Sequence, residues 1–156
     1  MRKLVRSVIP IIISLCLLIF PQAAYAQGMP FGFPVPAIEE CPAQSVTNPF
    51  PMRAMLTAFA EGTWTYKSGG PMVNADGVFG ADCSTCRFDV PPYRVAQLIA
   101  YTGGDSVKGT GTSMSFDVFP GEEVKFCFND RPGSYGDNEG VVYVTGEITP
   151  LSSDFF

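Results

Sequence analysis

The sequence predicts an all-β fold in which two sheets pack as a β-sandwich. Short apolar segments recur at intervals of about 8 to 15 residues, with turn residues between them. Within these segments apolar and polar residues alternate, which is the periodicity of a strand with one buried face. The chain also holds 16 glycines and 14 prolines, residues that interrupt helices. We therefore expect one domain with little helix.

The first 26 residues have the features of a removable export signal. Three basic residues open it, residues 8–20 are apolar, and residues 24–26 (Ala-Tyr-Ala) form a small-x-small cleavage site. The apolar run is shorter than the about 20 residues that a membrane-spanning helix needs. We predict that residues 1–26 are cleaved, Cys16 included, and that the mature protein is secreted or periplasmic without a membrane span.

Residues 27–52 are predicted to form a proline-rich N-terminal arm. Six prolines fall in this segment, and proline removes the N–H that a helix or a central strand requires. The sandwich domain is expected to occupy residues 53–150, and residues 151–156 to form a C-terminal tail.

Alternation is clearest in three later segments, where residues of one parity are apolar and face the core. Residues 95–101 are instead apolar on both faces, as in a central strand. Residues 53–61 fit a turn of helix as well as a strand. The inward-facing residues predicted by the alternation are Met114, Phe116, Val118, Val124, Phe126, Phe128, Val142, Val144 and Ile148.

Charge and composition exclude several functions. Lys and Arg number 10 against 15 Asp and Glu, which argues against a nucleic-acid binder with a basic face. The chain has no histidine, which removes Ser-His-Asp and Cys-His catalysis and histidine-ligated zinc. We therefore do not expect an enzyme.

Four cysteines remain after the signal: Cys41, Cys83, Cys86 and Cys127. An even number in an exported chain favours two disulfides, with three possible connectivities. Cys127 falls on the outer face of its predicted strand, where the arm carrying Cys41 can cross it. This suggests a Cys41–Cys127 bond and a local Cys83–Cys86 clip, while a redox pair or a metal site is the weaker alternative.

The loop over residues 129–140 is rich in oxygen donors. Ca²⁺ takes six to eight oxygens from carboxylates, amides and backbone carbonyls. Asp130, Asp137, Asn138 and the loop carbonyls can supply them, and three glycines allow the chain to curl. The alternative is a hairpin-like loop whose Asn and Asp side chains cap their own backbone amides.

The same loop reads N-D-R-P-G-S-Y-G-D-N-E-G and resembles the calcium- and sugar-binding loop of the bacterial soluble galactophilic lectins. Residues 62–66, 74–77 and 97–100 resemble further elements of that family in the same order. The resemblance extends over residues 55–148. It implies a jelly-roll-like, galactose-binding-like β-sandwich that binds a sugar through Ca²⁺.

The resemblance also implies the residues that coordinate Ca²⁺. Asp130 and Asp137 would do so through carboxylates, Asn138 through its side-chain carbonyl and Ser134 through its backbone carbonyl. A backbone carbonyl near Tyr66 would close the shell. Two sugar hydroxyls would then complete the coordination, with Asp130 and Asn138 accepting hydroxyl protons.

Two positions in the loop depart from the family pattern. Asp137 stands where the family has Asn, which adds negative charge and favours a cation. Arg131 replaces a small apolar residue, and its guanidinium can contact an acidic glycan. Tyr135 either walls the ligand or packs, whereas Trp64 is expected in the core. The residues expected to contact a sugar are therefore Asp130, Arg131, Tyr135, Asp137 and Asn138.

These features predict a secreted, calcium-dependent, lectin-like domain without catalysis, with a carbohydrate as its partner. The alternative is a structural or surface-interaction module in which Ca²⁺ only rigidifies residues 129–140. An enzyme would have to act through Asp130 and Asp137 or through the Cys83/Cys86 pair. The sequence leaves the sugar and the oligomeric state open, a homo-oligomer included.

Overall fold

The computed structural model describes residues 27–89, 93–103 and 106–151. The predicted signal at 1–26 and all of the predicted tail except Leu151 lie outside these residues. Within the described ranges the chain forms eight strands and one short 3-10 helix, Tyr135–Asp137. The strands are β1 (Met29–Pro36), β2 (Ser45–Thr47), β3 (Ala54–Thr65), β4 (Gln97–Thr102), β5 (Ser106–Thr110), β6 (Ser113–Val118), β7 (Glu123–Asn129) and β8 (Glu139–Pro150).

The strands form two antiparallel sheets that enclose one main core, which confirms the predicted β-sandwich. The first sheet has the order β1-β8-β3-β6 and the second β2-β7-β4-β5. No helix in the described part of the chain is long and apolar enough to cross a membrane. The largest fully buried side chains include Trp64, Phe126, Phe128, Leu56, Leu98 and Ile148.

The alternation of apolar and polar residues fixes which face of each strand is buried. In β8, Val142, Val144 and Ile148 are fully buried, while Tyr143 between them is 56% exposed. The ambiguous segment at 53–61 belongs to β3, with its even-numbered residues Ala54 to Ala60 inside. A helix would have turned some of these residues to solvent, so burial on the sheet decides in favour of the strand.

The sequence had suggested that the proline-rich segment is an arm outside the sandwich, and this prediction is wrong. Residues 29–36 form β1, which pairs with β8 at the edge of the first sheet, and residues 45–47 form β2. The N–H of Ala37 donates to Gly140 of β8, so the odd-numbered nitrogens point to β8 and the even-numbered ones to the open edge of the sheet. Pro30, Pro34 and Pro36 are even-numbered, so they are tolerated because no N–H is needed there. Residues of the other parity, Phe31 to Val35, pack toward the core.

The disulfides are the two pairs that the sequence had suggested, Cys41–Cys127 and Cys83–Cys86. Cys127 lies on the outer face of the second sheet, as its parity predicted. There it joins a smaller apolar cluster with Phe88, Ile99 and Tyr101. This cluster explains why the predicted segment at 95–101 is apolar on both faces, because Leu98 and Ala100 belong to the main core and Ile99 and Tyr101 to the outer one.

A long excursion, residues 66–96, separates β3 from β4. Asp76 anchors it, since its Oδ1 accepts hydrogen bonds from the backbone N–H of Thr112 at 2.8 Å and from the Thr112 hydroxyl at 3.1 Å. Isolated bridges also pair Asp76 with Gln97 and Asp82 with Arg94. These contacts hold the excursion against the start of β4 and the connection between β5 and β6.

Candidate functional site

The loop between β7 and β8 has a defined backbone path. The N–H of Ser134 donates to the carbonyl of Arg131 at 3.0 Å, closing a turn in which Gly133 adopts a φ of +88°. The 3-10 helix follows, and the N–H of Asn138 donates to the carbonyl of Tyr135. This positive φ is a conformation that residues with a Cβ rarely adopt, which explains the glycine at position 133.

Asp130 and Asn138 form the buried centre of this loop, with 5% and 3% of their surface exposed. Asp130 Oδ1 accepts the backbone N–H of Arg131 at 2.7 Å, and its Oδ2 accepts a hydrogen bond from Asn138 Nδ2 at 3.0 Å. Asn138 Nδ2 also donates to the carbonyl of Ala37 at 3.1 Å. The side-chain carbonyl of Asn138, Oδ1, is buried and has no hydrogen-bond partner among the described residues.

The Asp130 carboxylate is buried, and no cationic side chain of the described residues is bonded to it. Burial raises its pKa above the usual value, and the nearby charge of Asp137 adds to this effect, while hydrogen bonds from Arg131 and Asn138 oppose it. A nearby cation lowers the free-energy cost of burying a carboxylate or an amide oxygen that has no hydrogen-bond partner. The electrostatics of the loop therefore favour a positive ligand.

A cavity of about 470 Å³ opens beside the loop. Such a volume lies within the ~300 to 1,000 Å³ of small-molecule sites. Four of the five residues predicted to hold a metal line it, and the fifth, Asn138, is hydrogen-bonded to one of them, Asp130. Arg131, predicted to contact a sugar, also lines it. The full lining is Tyr66, Cys83, Thr85, Val95, Asp130, Arg131, Ser134 and Asp137.

The donors at this cavity are of the kind a hard cation requires. Across the residues that the structure describes, no group of three or more His, Cys, Asp or Glu side chains could hold a metal. A cation here would need amide and backbone carbonyl oxygens beside the two carboxylates, a mixture that is ordinary for Ca²⁺ and unsuited to zinc. The unpartnered Asn138 oxygen fits that requirement.

The two aromatic residues weighed from the sequence are both packed. Trp64 is fully buried and donates from Nε1 to the carbonyl of Ala96 at 2.9 Å, so its prediction as a core residue is confirmed. Tyr135 is only 9% exposed, with its ring against Phe128 and its hydroxyl donating to the carbonyl of Asp130 at 3.2 Å. The suggested role of Tyr135 as a ligand wall is corrected, because its ring supports the loop from within.

The second wall of the cavity comes from the excursion and was missed in the sequence. Cys83 and Thr85 line it beside the Cys83–Cys86 disulfide. No local pattern links this turn to the loop, since the contacts that dock it join distant positions. The backbone N–H of Phe88 donates to Asn129 Oδ1 at 3.2 Å, 41 positions away along the chain.

Asn129 is the residue that clamps this wall to the sheet. It is fully buried, and its Nδ2 donates to the carbonyls of Phe88 and Arg94, each at 3.1 Å. Its own carbonyl accepts the N–H of Ala96, whose φ of 58° is the left-handed conformation. The sequence placed Asn129 in the loop without a role, and its position at the end of a strand was the signal that was overlooked.

Comparison with solved structures places this architecture beside a known domain. The chain is similar to the N-terminal domain of EclA, described as a PllA-like lectin, with a TM-score of 0.50 and 18% sequence identity. The match covers 80% of this chain and 98% of that domain, and it shows a shared fold. No protein-family model matches the sequence, and no curated protein matches it.

Proposed function

We propose that this chain is a non-catalytic, calcium-dependent carbohydrate-binding domain. The observation that carries the proposal is the buried, unpartnered Oδ1 of Asn138, held against Asp130 beside an oxygen-lined cavity. A buried polar atom without a partner is costly, and a cation would remove that cost. The shared fold with a domain described as a lectin supports carbohydrate as the ligand class.

In this proposal each residue has a distinct part. Asp130 and Asp137 contribute carboxylates, Asn138 its Oδ1, and Ser134 and Tyr66 their backbone carbonyls. The ion would supply open coordination positions for two neighbouring hydroxyls of a sugar. The hydrogen bonds from Arg131 and Asn138 hold the Asp130 carboxylate in place before any ligand arrives.

The disulfides fit a protein that works in an oxidising compartment. Together with the predicted signal at residues 1–26, they support secretion or a periplasmic location. A glycan outside the cell or in the periplasm is then the expected partner.

A second candidate is a structural module in which Ca²⁺ only stiffens the loop. The hydrogen bond from Asn138 to Ala37 favours it, because it ties the loop to the end of β1. The two candidates differ in one outcome: the module gains stability from calcium and none from any sugar.

Thermal melts separate these possibilities. The mature protein would be melted with Ca²⁺, with a chelator, and with Ca²⁺ plus simple sugars. A ligand at a hundred times its Kd stabilises the native state by about 2.7 kcal/mol, so calcium should raise the midpoint by on the order of 10 °C. At least one sugar should raise it further, and a calcium shift without any sugar shift would favour the structural module.

A pair of variants assigns the effect to the loop. Asp137→Ala removes an exposed carboxylate of the cavity and should reduce the calcium shift. Asp117→Ala removes a carboxylate on β6 that pairs with Arg53, and it should leave the shift unchanged. Equal calcium shifts in both variants and the unmodified protein would contradict the proposed site.

A further inference from the structure

We infer that the sugar selected by this cavity is acidic, carrying a carboxylate or sulfate group that pairs with Arg131. The inference rests on the proposed function and specifies its ligand class. An acidic sugar offers both groups that the cavity would receive, neighbouring hydroxyls for the cation and an oxyanion for the guanidinium.

Arg131 differs from the other arginines in the described part of the chain. Arg53 pairs with Asp117, Arg87 pairs with Glu40, and Arg94 stacks on Phe79 at 5.0 Å. Arg131 is exposed and lines the cavity, and its guanidinium has no ion pair or hydrogen bond with any described residue. Its charge is therefore available to a ligand.

The two carboxylates beside Arg131 form no hydrogen bond or ion pair with its guanidinium in the described part of the chain. Asp130 accepts hydrogen bonds from the backbone N–H of Arg131 and from Asn138, so its contact with Arg131 is through the main chain. Asp137 lines the same cavity without forming an ion pair with Arg131. The loop thus presents a guanidinium and two carboxylates at one opening. The charge of Arg131 attracts the Asp130 carboxylate through space, but the guanidinium's hydrogen-bond donors are not used by either carboxylate.

The charges of the loaded site do not cancel. Asp130 and Asp137 carry two negative charges, a bound Ca²⁺ would offset both, and the positive charge of Arg131 would remain. With a neutral sugar the N–H groups of this guanidinium stay hydrogen-bonded to water, whereas an oxyanion can accept two parallel N–H bonds from it. Electrostatic complementarity thus distinguishes an acidic sugar from its neutral counterpart.

The test compares matched sugars by calorimetry at neutral pH, with calcium in excess and salt fixed. Methyl galactoside is the neutral probe, and methyl galacturonate and a sulfated methyl galactoside carry the two oxyanions. A charge-assisted hydrogen bond pair predicts about 10- to 100-fold tighter binding of one acidic probe than of the neutral one. The preference should decrease as salt is raised.

Variants assign the preference to one side chain. Arg131→Gln should lower the affinity for the acidic sugar far more than for the neutral sugar, bringing the ratio close to one. Arg53→Gln, the matched control at the start of β3, should keep the full ratio. The more tightly bound acidic probe identifies the oxyanion.

The failures are distinguishable. Binding of the neutral sugar with equal or weaker binding of both acidic ones would overturn the inference and leave the proposed function standing. A preference that persists in Arg131→Gln would also overturn it. If calcium shifts the melt and no sugar binds, the proposed function fails, and this inference fails with it.

Discussion

Asn138 joins two parts of the molecule, the loop and the segment after β1, through one amide group. Its Nδ2 donates to Asp130 within the loop and to the carbonyl of Ala37 just after β1, while its Oδ1 has no partner among the residues that the structure describes. An aspartate there could not donate these hydrogen bonds, and an aliphatic residue would lose both the hydrogen bonds and the free oxygen. The amide is therefore suited both to build the loop and to leave one oxygen for a ligand.

Trp64 supports the site from the core, and its replacement tests that role. Trp64→Phe removes the hydrogen bond to the buried carbonyl of Ala96 and leaves a cavity beside Phe128, whose ring lies 4.6 Å from the indole. We expect a loss of about 2 to 4 kcal/mol in the free energy of unfolding. Because Trp64 is the single tryptophan, urea unfolding should be followed by circular dichroism.

The matched control is Tyr143→Phe, which changes an exposed ring on β8. It should alter the free energy of unfolding by less than about 0.5 kcal/mol. Similar losses in the two variants would show that the indole hydrogen bond contributes little.

Among the elements, the turn closed by Cys83–Cys86 forms the second wall of the cavity. It spans few residues, so its bond should contribute only about 2 kcal/mol to stability. Its position matters more, because Cys83 and Thr85 both line the opening. The turn is a local brace for the site more than a support for the fold.

Replacing both cysteines of this turn by serine should therefore affect binding more than folding. We expect a modest fall in melting temperature and a weaker shift on adding sugar in the presence of calcium. The companion variant with Cys41 and Cys127 replaced opens a far longer loop and should cost about 4 to 5 kcal/mol. If the first variant kept the full sugar shift, the turn would have no part in recognition.

Glu122, in the connection between β6 and β7, is expected to make stability depend on pH. Glu122 accepts the backbone N–H of Phe119 at 2.8 Å and pairs with Lys108 of β5 at 3.2 Å. Burial alone would raise the pKa of its carboxyl, but these partners outweigh burial and hold the pKa below its ordinary value of 4.5. A lowered pKa stabilises the fold at neutral pH, and the benefit is lost as pH falls through that lowered value.

Glu122→Gln should accordingly be less stable than the unmodified protein at pH 7, with the difference shrinking at pH 3. Urea unfolding at both pH values, in calcium-free buffer, measures this. Glu123→Gln, at an exposed neighbour, should follow the unmodified protein at both. A Glu122→Gln deficit that stays constant with pH would mean that the lost carboxylate acts through packing.

At the scale of the whole molecule, the part of the fold that could be predicted is the part in which apolar and polar residues alternate along the strands. The core-facing residues of β6, β7 and β8 could be predicted because apolar residues recur at alternate positions along each strand. The strand β1 was missed because its prolines argue against a central strand and say nothing against an edge strand. The prolines show that this segment cannot be a central strand, but only its pairing with β8 shows that it is an edge strand.

The candidate site also has one part that could be predicted from the sequence and one that could not. The oxygen-rich loop could be predicted because most of its oxygen donors lie within one short segment of the sequence, and four of the five predicted metal ligands line one cavity. The wall at Cys83 and Thr85 was not visible, because Asn129 brings it there through long-range hydrogen bonds. The burial of Tyr135 likewise depends on the core beneath it, since Phe128 supplies the surface on which its ring packs.

The pairing of β1 with β8 has a consequence for how the chain folds. Met29 lies opposite Ile148, so β1 can join its sheet only after β8, the last strand in the chain, has formed. Such high contact order makes folding slow, on the order of milliseconds to seconds. Until then β1 is an unpaired strand, and such strands can pair with other chains. Three of its four even-numbered residues are prolines, so only Gly32 can donate a backbone hydrogen bond from the open edge. The prolines that make β1 hard to predict from the sequence thus also limit wrong strand pairing while the chain folds.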